Sequence, residues 1–244
     1  MTKETYDFCI IITTYNRTEM LNKLLNQIES EKKNHRIFVA IFDDGGNQNI
    51  DINKSYHKKI SLYPNNGKQK YYNIINSTLS VLKNISSEYF IYLPDDISLV
   101  ENFFDETKRI YESINFSNKI CLSILTDGRV NKTNWTDFKT IDYGEYYKTQ
   151  WNDLCFIAKR NFFETLEFKI IPISPNRWKG NPNLSSGVGQ QISNRLNKLG
   201  LGMYHTKKSL VIHGDHESKM NYHERKVTSL KTNEWKNNSK RRIL

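Results

Sequence analysis

Two pairs of adjacent carboxylates, Asp43-Asp44 in "IFDDGG" and Asp95-Asp96 in "YLPDD", close two apolar runs of the chain. Like charges side by side disfavour one another's ionised form, and no lysine or arginine adjoins Asp95 or Asp96 in sequence. Carboxylates so placed suit two tasks. They can accept hydrogen bonds from sugar hydroxyls or a base N–H, and they can ligate a hard divalent cation such as Mg²⁺ or Mn²⁺, which prefers oxygen. The expectation is that the positive partner of Asp95 and Asp96 is a bound metal ion. Either pair alone would also serve as ordinary turn or cap residues; two pairs at the ends of neighbouring strands point to a site. A third polar run, "TTYNR" (13–17), adds the hydroxyls of Thr13 and Thr14, the ring of Tyr15 and the guanidinium of Arg17. The Tyr15 ring suits stacking on a base and rim packing equally well.

The elements that must carry these groups are legible from periodicity. The runs 8–14 ("FCIIITT"), 36–44 ("RIFVAIFDD") and 89–96 ("YFIYLPDD") are short, apolar and rich in β-formers, the pattern of strands buried on both faces. Between the first two, Met20, Leu21, Leu24, Leu25 and Ile28 recur at helical spacing behind a start at Thr18-Glu19. Between the second and third, Tyr71, Ile74, Ile75, Leu79 and Leu82 do the same. A β-α-β-α-β order predicts a doubly wound, mostly parallel sheet, whose ligands bind beyond the carboxyl ends of the strands. All three polar runs fall at such ends. A helix over 101–114, a strand over 119–127, a helix in 185–200 with Ile192, Leu196 and Leu199 on one face and Gly200 as its stop, and a short strand 209–213 complete the reading. The stretch 128–153 is polar and aromatic, with loops and short strands expected around an acceptor pocket.

The 244 residues fit one α/β domain, and 37% hydrophobic content supplies a core. A formal net charge of +10 favours anionic partners: nucleic acid, acidic lipid or phosphorylated small molecules. Cys9, Cys121 and Cys155 have neither disulfide-framework nor metal-ligand spacing, which predicts reduced thiols and a cytoplasmic setting. No apolar stretch has the length of a membrane span, so membrane contact is expected to be peripheral.

Taken in order, "IIITTYNR", "IFDDGG", "NNGKQKYYN" (65–73), "YLPDD" and, more loosely, "RLNKLG" with "VIHGDHES" (211–218) resemble the GT-A glycosyltransferases, in particular the family 2-like group. The resemblance implies a GT-A (nucleotide-diphospho-sugar transferase) fold, with a central, mostly parallel sheet flanked by helices. It implies a donor half over 1–125, an acceptor half over 126–212, and a basic segment over 213–244 that closes the active site. It further implies transfer of a hexosyl or pentosyl unit from a nucleotide-sugar, such as a UDP-sugar, with Mn²⁺ or Mg²⁺ as cofactor. On this reading Thr13, Tyr15, Arg17, Asp43, Asp44, Asn66, Gly67, Lys68, Lys70 and Asp95 hold the donor, and Asp96 with His213 binds the metal.

The sequence departs from that pattern at two places. An arginine expected in "NNGKQKYYN" is Tyr72, so a cationic contact to the diphosphate falls to Lys68 or Lys70, with the following helix start also favouring phosphate. The acidic pair expected before "RLNKLG", which carries the general base of inverting members, is replaced by Gly189-Gln190-Gln191. An inverting displacement needs a base near the acceptor hydroxyl, whereas many retaining enzymes have no obvious one, so both courses stay open. The candidate bases are Asp153, Asp127 and Asp215, with Glu217 beside the last. His213, His216 and His223 have no cysteine near them, which argues against a structural zinc. Trp151 and Trp178 suit sugar stacking or core packing equally.

The expected acceptor is a hydroxyl of a surface glycan or lipid-linked saccharide, with the basic "SKRRIL" tail meeting an anionic membrane face from the cytoplasmic side. The alternative acceptor is a hydroxymethylated base in DNA, as for phage enzymes acting in an infected host cytoplasm, where the positive charge would meet phosphate. A nucleotidyltransferase is disfavoured, because "TTYNRTEM" lacks the glycine-rich loop such enzymes place after the first strand. A non-catalytic nucleotide- or sugar-binding module would not need a metal site.

Overall fold

The strand Tyr6–Thr14 (β1) buries every side chain from Phe8 to Ile12 completely. Successive strand residues point to opposite sides, so only a strand covered on both faces can do this. The computed structural model describes residues 5–45, 48–50, 57–62, 67–126, 141–152, 155–181 and 184–213. After β1 come α1 (Thr18–Glu31), β2 (Ile37–Asp44), β3 (His57–Leu62), α2 (Tyr71–Leu82), β4 (Ser87–Pro94), β5 (Ile97–Leu99) and α3 (Phe103–Ser113). Then follow β6 (Lys119–Ser123), β7 (Ile141–Asp142), β8 (Tyr146–Thr149), β9 (Phe156–Ala158), α4 (Arg160–Thr165), α5 (Val188–Lys198), β10 (Gly202–Thr206) and β11 (Val211–His213).

Nine strands form one sheet in the order β3-β2-β1-β4-β9-β6-β10-β8-β7, and β5 pairs with β11 apart from it. β1 is parallel to β2 and β4, and β2 is parallel to β3. β9 runs against both β4 and β6, and β8 against both β10 and β7. The order reverses at β1: the chain moves outward through β2 and β3, then returns to β4 on the other side. A crevice opens at such a reversal, and "TTYNR" and Asp95-Asp96 both leave the sheet there.

Two apolar layers cover the sheet. On one face Phe8, Ile10 and Ile12 of β1 pack with Leu21, Leu24, Leu25 and Ile28 of α1 and with α3. On the other, Cys9 and Ile11 pack with Ile74, Ile75, Leu79 and Leu82 of α2 and with residues of α4 and α5. The alternation continues into the polar tips. Thr14 and Asp43 have the parity of the α1 face, and Thr13 and Asp44 that of the α2 face. Cys9, Cys121 and Cys155 are buried free thiols, and burial raises the first two well above the usual thiol range. No helix among the described residues is long and apolar enough to cross a membrane.

The structure moves some sequence boundaries. The helix expected over 101–114 is Phe103–Ser113, and the strand expected over 119–127 ends at Ser123. Leu199 is not on the buried face of its helix: α5 ends at Lys198 and Leu199 is 61% exposed. Gly200 does stop the helix, at φ +69°, with its N–H on the Asn197 carbonyl. The edge strand β3 ("HKKISL") has too few apolar residues to show in the periodicity.

Candidate functional site

Thr14 is the last residue of β1, and the parallel register sets it against Asp43 of β2. Its hydroxyl donates to Asp95 Oδ2 at 2.7 Å and lies 3.1 Å from Gln48 Nε2, which donates to it. Gln48 also donates its backbone N–H to Asp43 Oδ2 at 3.1 Å and its side-chain Nε2–H to Asp43 Oδ1 at 2.8 Å. Gln48 Oε1 accepts the Arg17 backbone N–H at 2.8 Å, and Lys59 Nζ on β3 reaches Asp43 Oδ2 at 3.1 Å. Asp43, 1% exposed, thus has each oxygen engaged within the protein. Gln48 is the hub joining the acid of β2 to the acid after β4. Sequence reasoning missed it, because a lone glutamine in a polar loop carries no signal.

The cation absent from the sequence flanks of Asp95 and Asp96 comes from the end of β1. Arg17 Nη1 donates to Asp95 Oδ1 at 3.0 Å and also to Asp96 Oδ2. The expectation that the pair's positive partner would be a metal ion alone is therefore corrected. The residue before it, Asn16, is left-handed (φ 50°), a conformation asparagine tolerates better than most. His213 arrives from far along the chain because β11 pairs with β5, setting His213 opposite Ile97, the residue after Asp96. His213 Nε2 lies 3.3 Å from Asp96 Oδ2.

The charges are tuned in different directions. Burial raises Asp95, with Arg17 and the Thr14 hydroxyl opposing and the Asp96 charge adding to the rise. Burial would raise Asp96 too, but the hydrogen bond and charge of His213 and the charge of Arg17 outweigh it and hold the carboxyl at about 2. Arg17 is raised: burial works against its charge, and Asp96 and Asp95 overcome that. Asp44, on the other face, is pushed up to about 6 by burial and then by Asp43.

Asp96 and His213 could supply two ligands to a divalent cation. Asp96 Oδ1 is buried and has no hydrogen-bond partner among the described residues, which leaves an acceptor oxygen for one. His213 Nε2 lies 3.3 Å from the other oxygen, Oδ2, which Arg17 also holds. Among the described residues no third histidine, cysteine or carboxylate joins them in a metal cluster.

The other predicted residues fall as follows. The Thr13 hydroxyl faces away from this network and accepts from Tyr92 OH at 3.0 Å, with Tyr71 OH 3.3 Å from it. Tyr15 follows β1 and is partly exposed. Gly67 is left-handed (φ +65°) and leads through a single turn, Lys68–Lys70, into α2, with Lys70 exposed. Asn66, Asp127, Asp153, Asp215, Glu217, His216 and His223 lie outside the described residues, as does the "SKRRIL" tail. Trp151 is half-buried, whereas Trp178 is a core residue at 5% exposure whose ring N–H donates to the Leu184 carbonyl.

No protein-family model matches the sequence, and no curated protein matches it. Solved structures do resemble the fold. A mannosyltransferase from Pyrobaculum calidifontis, solved with GDP-mannose and Mn²⁺, superposes with a TM-score of 0.57 at 10% identity. The match covers 89% of this chain and 59% of that one, so the chain spans about three fifths of its length. Glucosyl-3-phosphoglycerate synthase from Mycobacterium tuberculosis, solved with Mn²⁺, UDP and glucosyl-3-phosphoglycerate, gives 0.54 at 10% identity over 87% of this chain and 73% of its own. A mycobacterial protein gives 0.53 at 9% identity, covering 87% and 68%. The fold shared with these structures is the GT-A fold.

Proposed function

We propose that the chain is a metal-dependent glycosyltransferase that moves a sugar from a nucleoside diphosphate sugar to an acceptor hydroxyl. The observation that carries the reading is Asp96: a deeply ionised carboxylate beside His213, with one buried oxygen unpartnered, at the crevice between β1 and β4. The fold is shared with two proteins solved with a nucleotide and Mn²⁺. We assign the donor half to residues 1–125 and the acceptor half to 126–212; the segment after His213 lies outside the described residues.

Asp96 and His213 would hold Mn²⁺ or Mg²⁺, which supplies charge neutralisation for the departing diphosphate. Asp44, ionised above about pH 6, accepts from the ribose hydroxyls or a base N–H. Asp95, fixed by Thr14 and Arg17, faces the ribose. Tyr15 offers its ring to the base, and the turn from Gly67 through Lys70 presents the start of α2 to phosphate. In the transfer, the acceptor hydroxyl gives its proton to a carboxylate and its oxygen bonds to the anomeric carbon. The bond from that carbon to the phosphate oxygen breaks, and its electron pair leaves with the diphosphate.

Asp153 is the carboxylate we assign to the acceptor side. Its sequence neighbour Asn152 is anchored from two elements: the side chain accepts from Ser123 Oγ of β6, and the backbone N–H donates to Ser193 Oγ of α5 at 3.0 Å.

The acceptor we assign is a glycan or lipid-linked saccharide, met at an anionic membrane surface in the cytoplasm. The net charge of +10 also favours hydroxymethylated DNA. Incubation with a panel of nucleotide-sugars and Mn²⁺ or Mg²⁺ tests the activity: release of nucleoside diphosphate from one donor, abolished by EDTA, is the expected result. No release from any donor would overturn the assignment.

A further inference from the structure

The acidic pair is already half neutralised by a residue of the chain, which bears on how a metal can enter. Arg17 Nη1 touches both Asp95 and Asp96, and it shares Asp96 Oδ2 with His213. All three side chains of that ion triad are at most 10% exposed. Two buried carboxylates without a cation would be strongly disfavoured, and removing one partner of such a set leaves an uncompensated charge. Arg17 therefore supplies the pair with part of the positive charge that a divalent ion would bring.

The backbone at Arg17 is held while its side chain is long. Its N–H donates to Gln48 Oε1 at 2.8 Å and its carbonyl accepts from Leu21 N at 3.0 Å, the first turn of α1. Movement of the guanidinium off Asp96 thus needs only side-chain rotation.

We propose that Arg17 is an internal counter-ion of the cation site: it occupies Asp96 until a divalent ion arrives together with a diphosphate. The charge count gives the reason. With His213 neutral, as a metal ligand must be, Asp95, Asp96 and Arg17 sum to one negative charge. A divalent ion added alone would leave this buried site net positive, with the ion beside a guanidinium. A nucleoside diphosphate brings the further negative charge that balances the ion and offers the displaced guanidinium a phosphate to meet. Metal and nucleotide then bind with positive coupling, each tightening the other by the same factor. Without Arg17 the pair alone balances a divalent ion, and the coupling falls.

The inference rests on the metal-dependent reading above, and its test separates the two. Free Mn²⁺ is counted by electron paramagnetic resonance during titration of the full chain, with and without UDP or GDP. Wild type is expected to bind Mn²⁺ at least on the order of tenfold more tightly with one of the nucleotides than without. R17M, or R17Q if R17M lacks the native near-ultraviolet circular dichroism, is expected to bind Mn²⁺ without nucleotide about as tightly as wild type does with it. Adding D96N to that variant should abolish the gain. Wild-type binding that is equal with and without nucleotide overturns the inference alone, as does a variant that still needs nucleotide. Absence of Mn²⁺ binding in every sample overturns this inference and the metal-dependent reading together.

Discussion

Asp44 and Asp96 lie two strands apart and are tuned in opposite directions, one pushed up to about 6 and the other held at about 2. The raised carboxyl predicts how donor binding varies with pH. Below about pH 6 Asp44 takes up a proton and loses an acceptor, so affinity for a nucleotide-sugar should fall as pH falls through that value. Calorimetric titration across pH 5–8 checks this, and D44N should be weak and flat over the same range. The linkage to stability has opposite signs at the two sites. Asp44 binds its proton more tightly folded than unfolded, so its contribution declines as pH rises from the ordinary carboxylate range through about 6. Asp96 contributes fully above the ordinary range, and that contribution is lost as pH falls toward about 2. Gln48 joins their neighbours, bonding Asp43 directly and Asp95 through the Thr14 hydroxyl. Q48A would take from buried Asp43 the side-chain donor to Oδ1, the backbone N–H to Oδ2 remaining, and should cost about 1–3 kcal/mol of stability, read by urea unfolding. A Q48A protein as stable as wild type would show that the hub does not hold the site together.

The strands set these side chains against each other, and much of that was readable in advance. The runs ending in "TTYNR", "DDGG" and "PDD" are β1, β2 and β4, because unbroken apolar runs have few other ways to be buried. Arg17 on the acidic pair was not readable, since the contact spans 78 residues and depends on the reversal of strand order at β1. The β5–β11 pairing that aims His213 at Asp96 is equally non-local: three residues in each strand, with little periodicity to show it. That pairing makes a prediction of its own. I212P removes a backbone donor in β11 and should loosen His213, lowering Mn²⁺ affinity in the presence of nucleotide by roughly 10- to 100-fold with the core intact. Ile11→Ala in β1 should instead destabilise the whole fold by about 2–5 kcal/mol, visible in thermal unfolding, because both sheet faces pack around that strand. Unchanged stability in I11A would contradict the central place given to β1.

At the scale of the whole molecule, the proposed donor side draws on β1, β2, β4 and β11, and the basic charge of the chain bears on the proposed acceptor. Retention on duplex DNA that weakens steeply between 50 and 200 mM salt would favour the DNA acceptor. Binding to anionic vesicles, with no such DNA retention, is the outcome expected for a membrane-presented saccharide. The claim on which the account turns is narrower: a nucleoside diphosphate and a divalent ion meet at Asp96. Its most direct test is thermal unfolding of wild type and D96A with Mn²⁺, with UDP or GDP, and with both. Wild type should be stabilised by the pair well beyond the sum of the separate additions, and D96A should lose that excess. Equal stabilisation of wild type and D96A, or no response of wild type to either nucleotide with Mn²⁺, would contradict it.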